Sequence, residues 1–252
     1  MTVTLLSSRE AARSERPALS VGFAQSAWEI RAAQRLRFRV FAGEMGARLP
    51  SPQQGIDEDA FDPFCEHLIV RDQLAGEVVG TYRILSPGSA LRMGRYYADG
   101  EFDLGRLAPL RPQLVEVGRA CVHPDYRSGA TIALLWSGLA RYMRERGHAF
   151  LFGCASIGMA DGGHVAASLY RRLQAKLGPT EYRVFPRCPL PIEALRNDVE
   201  ADLPPLLKGY LRAGARICGA PAWDPDFNTA DLPVMLRLSS LSVRYARHFN
   251  KP

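Results

Sequence analysis

Between Leu114 and Ile132 the sequence reads LVEVGRACVHPDYRSGATI, an alternating apolar run that passes through a short turn into a helical pattern. A strand ending at Val122 hands the chain to Arg127, Ser128, Gly129, Ala130 and Thr131. Backbone N–H groups at the start of a helix have no intrahelical acceptor, so this turn makes a cradle for a phosphate. Gly129 lets a ligand come close to the backbone. Ile132, Leu135, Trp136, Leu139 and Met143 follow at three- and four-residue spacing, which buries one helix face and holds its N-terminus still. On spacing alone, an ordinary strand-to-helix turn fits as well as a phosphate cradle. Two charged residues interrupt the strand. Glu116 is a carboxylate inside an apolar run, where burial raises its pKa toward the working range of a general base. Arg119 falls on the opposite face under strict alternation, so contact between the two needs a bulge or a splay.

The elements that must position these residues follow from periodicity. Ser26 to Met45 carries Trp28, Ala32, Leu36, Val40 and Phe41 on a helical period, with arginines interleaved. Residues 49–64, rich in Pro, Gly and acid, read as a loop. His67 to Val70 and Glu77 to Leu85 read as an antiparallel hairpin, and Tyr96 to Leu107 as a short helix or ordered loop. After the central strand and its helix, the pattern predicts a strand over Ala149 to Ile157 and a helix over His164 to Leu177. Next come a short strand over Glu181 to Phe185, a proline-opened helix from Leu203 to near Gly214, and a last strand over Leu232 to Leu238. The order implies an α/β (α+β) mixed central sheet with helices on both faces. Residues 1–25 read as a flexible lead-in and 26–252 as one domain with an insertion around 187–215.

Composition narrows the classes. The chain has 252 residues, 47% hydrophobic and 23% charged, with 32 basic against 26 acidic side chains. A basic surface suits an acidic partner, whether nucleic acid, anionic headgroups or a small acidic carrier protein, and equally suits scattered solvated arginines. Five cysteines without close pairs suggest neither disulfides nor a zinc site, and the five histidines show no ligand spacing, so no metal is expected. The first twenty residues lack an apolar core of signal-peptide length, and no run approaches the ~20 apolar residues of a bilayer span. A cytoplasmic protein is expected.

The hairpin followed by V-x-P-x-Y-R-x-G entering a helix resembles the GNAT N-acyltransferase fold, whose turn binds the phosphate groups of a pantetheine cofactor. Over about Ile30 to Phe249 the chain is similar to the bacterial ornithine lipid N-acyltransferases. The matching strings are RFRVFAGEMGA, DAFDPFCEHLIV, VVGTYRIL, EVGRACVHPDYRSGATIALLWSGLARY, FLFGCAS, LPPLLKGYLRAGA and DPDFNTADL. A more distant likeness is to acyl-homoserine-lactone synthases, through Arg37, Phe41, Asp59, Asp62, Arg83, Phe102, Glu116 and Arg119. The tryptophan those synthases carry after the first motif is missing from GEMGARLP, which argues against a lactone product.

The resemblance implies transfer of a 3-hydroxyacyl chain from acyl carrier protein to the α-amine of ornithine, giving a lyso-ornithine lipid. The carrier is a co-substrate, no cofactor is bound permanently, and acyl-CoA is the less expected donor because the turn has a single early glycine. Other amino-acid acceptors, or a signal synthase making N-acyl-amino acids or lactones, remain open. Nucleic acid is not an expected partner. Within this chemistry Glu116 is the candidate base for the amine, the alternative being a carboxylate that only pairs with Arg119. Backbone N–H groups around Ala120 to Val122 are candidate oxyanion donors, and Val122, Arg127, Ser128, Gly129, Ala130 and Thr131 the pantetheine cradle. Tyr170, in AASLY, is a candidate acid for the departing thiolate, or simply a core tyrosine. Asp59 and Asp62 suit an acceptor's ammonium group, or are solvated loop carboxylates. Arg37 and Arg83 either order that loop or grip the acceptor's carboxylate. Arg119 suits the phosphopantetheine, a carboxylate or a structural ion pair. Arg127, Arg141, Arg144 and Arg146 are placed to dock an acidic carrier. Leu206, Leu207, Tyr210 and Leu211 beside Lys208 and Arg212, with the tail VRYARHF, suit peripheral contact with anionic headgroups on the inner membrane face or, for the helix, packing on the core.

Overall fold

The computed structural model describes residues 17–51 and 53–241. An eight-stranded sheet forms its centre. β1 (Leu19–Phe23), β2 (Glu66–Asp72), β3 (Glu77–Leu85), β5 (Leu114–Val122), β6 (Phe150–Gly158), β10 (Thr229–Arg237) and β8 (Arg216–Ile217) lie side by side, and β9 (Ala222–Asp224) pairs with β10. All neighbours are antiparallel except β5 and β6, which run parallel. Parallel neighbours need a crossover, and α3 (Ala130–Glu145) supplies it. A separate ribbon pairs β4 (Phe102–Asp103) with β7 (Phe185–Pro186).

β3, EVVGTYRIL, is buried along eight successive residues because helices and loops cover both sheet faces. On one face α3, α4 (His164–Arg172) and α5 (Pro205–Ala213) seal a core that includes Leu68, Val115, Val117, Leu135 and Leu207. The other face carries a core around Phe102, Leu107 and Phe152, to which the short helix α2 (Pro87–Met93) adds Ala90, and a third cluster under α1 (Ala27–Phe38). Ser26 and Glu29 close a reciprocal capping box that starts α1. This helix continues as a π-helical turn over Arg39–Glu44, which accounts for the long amphipathic pattern to Met45.

Three sequence expectations change. Leu19–Phe23, inside the supposed lead-in, is an edge strand paired with β2 in full register. Only Phe185–Pro186 of the expected strand over Glu181 to Phe185 is extended, since Thr180–Tyr182 forms a 3-10 turn after Pro179. β8 and β9 are too short, at two and three residues, to produce a readable alternation. The chain around 187–190 is hydrogen-bonded to the body, with Cys188 and Pro221 carbonyls accepting from Trp223 and Leu190 N–H groups.

Candidate active site

β5 and β6 pair only from Leu114 opposite Phe150 to Val117 opposite Gly153, and then part. At the fork a Cβ on residue 153 would stand 2.5 Å from the Val117 carbonyl oxygen, so glycine alone permits this approach. Past the fork β5 stays with β3, but the register jumps between Arg83 opposite Gly118 and Thr81 opposite Cys121. Arg119 and Ala120 thus face one residue, Tyr82, and form a bulge with Arg119 in the left-handed region at φ 52°. The bulge brings Glu116 and Arg119 to the walls of one cavity, which strict alternation would forbid. This cavity, of about 240 Å³, lies along the divergence of the two strands and is also lined by Phe41, Tyr97, Cys154 and Ser156.

Glu116 is 5% exposed, and its partners are not arginines. Its two oxygens accept from the Tyr97 and Ala98 N–H groups at 2.6 and 2.8 Å. Burial pushes the carboxyl up to about 7, outweighing the two hydrogen bonds that favour its ionised form. Each carboxylate oxygen keeps a second lone pair, so the group can still accept a proton from the cavity.

Most charged residues singled out from sequence meet in an ion-pair network beside Glu116. Arg37, wholly buried, donates Nε to Asp57 at 2.8 Å and Nη2 to Asp62 at 2.7 Å. Arg83 donates to Asp59 at 2.7 Å and to Asp62 at 3.1 Å. Burial opposes the charge on Asp62, yet Arg37 and Arg83 hold its carboxyl well below the usual range. Arg119 lies 3.3 Å from Asp57 and 3.6 Å from Asp59, with its guanidinium over Phe227 and Tyr97. The loop is therefore not a solvated acidic arm awaiting an ammonium group. Asp59 and Asp62 are tied to arginines, and Asp57, the fully buried hub, was not singled out although it stands in the same IDEDAFD string. Arg83 and Arg119 line the cavity; Arg37 does not.

A second acidic group escaped the sequence reading altogether. Glu101, Asp224 and Asp231 bring one carboxylate oxygen each within 4.8 Å of one another on the cavity wall, a set that can hold a cation. Burial, reinforced by Asp231 and Asp224, pushes Glu101 up to about 9, and burial raises Asp231 to about 6. Asp224 and Asp231 both fall within DPDFNTADL, whose acidic spacing was the available signal. Glu101 is brought to them from a distant segment and gave none.

The cradle turn is open. Gly129, at φ 92°, caps α3 without a side-chain hydrogen bond, and residues 127–130 are exposed. The first N–H groups of α3 therefore face outward. Thr131 contributes only its backbone: its side chain is buried and its hydroxyl donates to the Tyr126 carbonyl at 3.0 Å. Arg127 donates to the Val122 carbonyl at 3.1 Å and pairs with Glu44 at 2.7 Å. Because the His123 N–H bonds to Val79 on β3, alternation turns the Val122 N–H the other way, toward the divergence.

Tyr170 is half-buried on α4, packs against the main core and does not line the cavity. Leu207 and Tyr210 of α5 are buried in that core and Leu206 lines the cavity, so this helix presents its apolar face inward. The VRYARHF segment lies outside the described residues. No helix among the described residues is long and apolar enough to cross a membrane.

A mixed sheet whose parallel strands part beside an uncapped helix N-terminus, with a bulge turning polar groups into the gap, defines a GNAT-type acyltransferase. Residues 36–137 accordingly match the Acetyltransferase (GNAT) domain family. More narrowly, the chain belongs to the L-ornithine Nα-acyltransferase family. It is 37% identical over 250 residues to the L-ornithine N(alpha)-acyltransferase of Brucella abortus (strain 2308), spanning 92% of this chain and 88% of the relative. In fold it is similar to FeeM, an N-acyl amino acid synthase from uncultured soil microbes, at TM-score 0.55 and 15% identity over 92% of this chain and 98% of that one. It is likewise similar to the AHL synthase LasI, at TM-score 0.52 and 14% identity over 88% and 91%.

Proposed function

We propose that the chain transfers an acyl group, with a 3-hydroxyacyl chain as the expected form, from the phosphopantetheine thioester of acyl carrier protein to the α-amine of L-ornithine. The product is a lyso-ornithine lipid. Glu116 carries this reading: a carboxylate with a pKa near 7, open to the gap between β5 and β6, suits removal of a proton from an amine attacking there.

In the proposed sequence, Glu116 accepts a proton from the α-ammonium group and the neutral nitrogen attacks the thioester carbonyl. The Val122 N–H is oriented to bind the oxyanion or the pantetheine amide, and the N–H groups at the start of α3 bind the phosphate. Collapse of the tetrahedral intermediate breaks the C–S bond. The amine's second proton and the thiolate then recombine as free thiol, with water or the Glu116 carboxyl as the carrier. Tyr170 is left to packing in this scheme, while the Arg37, Arg83 and Arg119 network with Asp57, Asp59 and Asp62 holds the acceptor wall. Carrier protein is preferred as donor because α3 and its end expose Arg141, Arg144 and Arg146, a basic face suited to an acidic surface.

Purified protein incubated with 3-hydroxyacyl carrier protein and L-ornithine, followed by mass spectrometry, is expected to yield Nα-acyl ornithine and holo-carrier in equal amounts. Product from acyl-CoA at equal or higher efficiency would transfer the donor role to CoA. Absence of acyl-ornithine with either donor would refute the proposal.

A further inference from the structure

Three carboxylates on one wall of the reaction cavity have no cation of their own. Glu101, Asp224 and Asp231 take part in no ion pair within 4.0 Å among the described residues, whereas Asp57, Asp59 and Asp62, which do not line the cavity, are all matched by arginines. Oε2 of Glu101 is sealed from solvent and accepts no hydrogen bond, the Cys154 thiol being the group that meets this carboxyl. Asp231, 5% exposed, accepts from the Thr229 hydroxyl at 3.1 Å and also meets the Ser156 hydroxyl, and Asp224 accepts from the Asp226 and Phe227 N–H groups through one oxygen only. Acceptor capacity is therefore left over on each member of the trio. Buried acceptors without donors are costly, and a cluster of them beside a substrate cavity is satisfied when a donor-rich cation arrives.

An ammonium group carries three N–H donors and no acceptor, which matches three converging oxygens. The reaction requires one amine of the acceptor to lose its proton at Glu116. A cage of ionised carboxylates does the reverse, since opposite charges favour the protonated amine and suppress its nucleophilicity; the proton that burial keeps on Glu101 before the acceptor binds is released to water as the ammonium enters. We infer that Glu101, Asp224 and Asp231 bind the distal ammonium of a diamino-acid acceptor, keeping that amine protonated and unreactive while the α-amine reaches Glu116. Selectivity for a diamino acid over a neutral one, and for the α over the distal nitrogen, then comes from one device. The inference rests on the acyl transfer to ornithine proposed above and adds the residues that choose the acceptor.

The test compares L-ornithine with L-2-aminopentanoate, which has the same carbon chain without the distal amine. Both binding to the protein, by calorimetry, and kcat/KM with acyl carrier protein as donor are measured. The unmodified protein is expected to favour ornithine by about 10⁴-fold, as for a site built around a polar group that the analogue lacks. In Asp224→Asn and Asp231→Asn that ratio is expected to fall by about tenfold or more, carried by KM for ornithine, while the KM for the acyl donor stays within about twofold. The unmodified protein's ratio needs no variant, so a misfolded mutant cannot mask the outcome. Acyl transfer without preference for ornithine, or a preference that survives both substitutions, overturns the inference and leaves the parent reading standing. Loss of activity on chelation, restored by Mg²⁺, Mn²⁺ or Ca²⁺, assigns the trio to a metal and also overturns it. No transfer to any amino acid refutes the parent reading and the inference with it.

Discussion

Glu116 and Arg119 are three residues apart, and sequence alternation separates them; the bulge opposite Tyr82 reunites them on one cavity wall. Their chemistry differs. Arg119 is absorbed by Asp57, Asp59 and two aromatic rings, whereas Glu116 has only backbone donors and a pKa raised to about 7 by burial. Glu116→Gln keeps the shape and removes the proton acceptor, so kcat is expected to fall by about 10²–10⁴ with the acyl-donor KM little changed, as steady-state kinetics would report. Arg37 belongs to a different category. Wholly buried between Asp57 and Asp62, it leaves Asp57 with Arg119 alone and Asp62 with Arg83 alone when removed, and Arg37→Met is expected to cost about 3–5 kcal/mol in urea unfolding. The types of these residues were legible because Glu and Arg in apolar runs demand partners. Which partner each takes was not, since Asp57 reaches Arg37 only after its loop folds back onto α1, and Glu101 meets Asp231 only once segments 130 residues apart in sequence are brought to one cavity.

At the level of elements, periodicity was strong wherever a helix or strand buried one continuous face. The β2–β3 hairpin, β5, α3, β6 and α5 all fall where the pattern places them, to within a few residues. It failed for β1, a five-residue LSVGF flanked by polar sequence whose pairing partner is what makes it extended, and for β8 and β9, which borrow their conformation from β10. The separation of β5 from β6 was equally invisible, because divergence is a relation between strands rather than a property of either. Gly153 marks it. Gly153→Ala puts a methyl group against the Val117 carbonyl at the last paired position, so the strands must shift. A loss of about 1–3 kcal/mol is expected, together with a kcat reduced more than the acyl-donor KM is raised. Calorimetric melting alongside kinetics checks both parts; a variant melting and turning over like the parent would show that the fork is not set by this contact.

For the molecule as a whole, the excess of basic over acidic side chains takes local form at the C-terminal end of the crossover helix, where Arg141, Arg144 and Arg146 are exposed, while the cradle opens at its other end. An acidic carrier protein docked there must feel ionic strength. The KM for acyl carrier protein is expected to rise severalfold between low salt and about 0.5 M, where the Debye length shrinks below the spacing of neighbouring charges, with kcat nearly constant. Arg141→Glu is expected to raise the same KM and flatten its salt dependence. A salt-independent KM would move the docking surface elsewhere. Basic composition alone left nucleic acid, lipid and carrier protein as partners; family membership and the open helix N-terminus narrow them to a thioester donor.

The most direct test is the pH–rate profile of kcat/KM for ornithine under saturating acyl donor, for the unmodified protein and for Glu116→Gln. Glu116 must be ionised to accept a proton, and its ionised fraction grows as pH rises through about 7. The rate is therefore expected to climb tenfold per pH unit below about 7 and level off above it, and the residual rate of the variant is expected to lack that limb. A variant retaining the parent's rate and the same inflection would mean that another group takes the amine's proton.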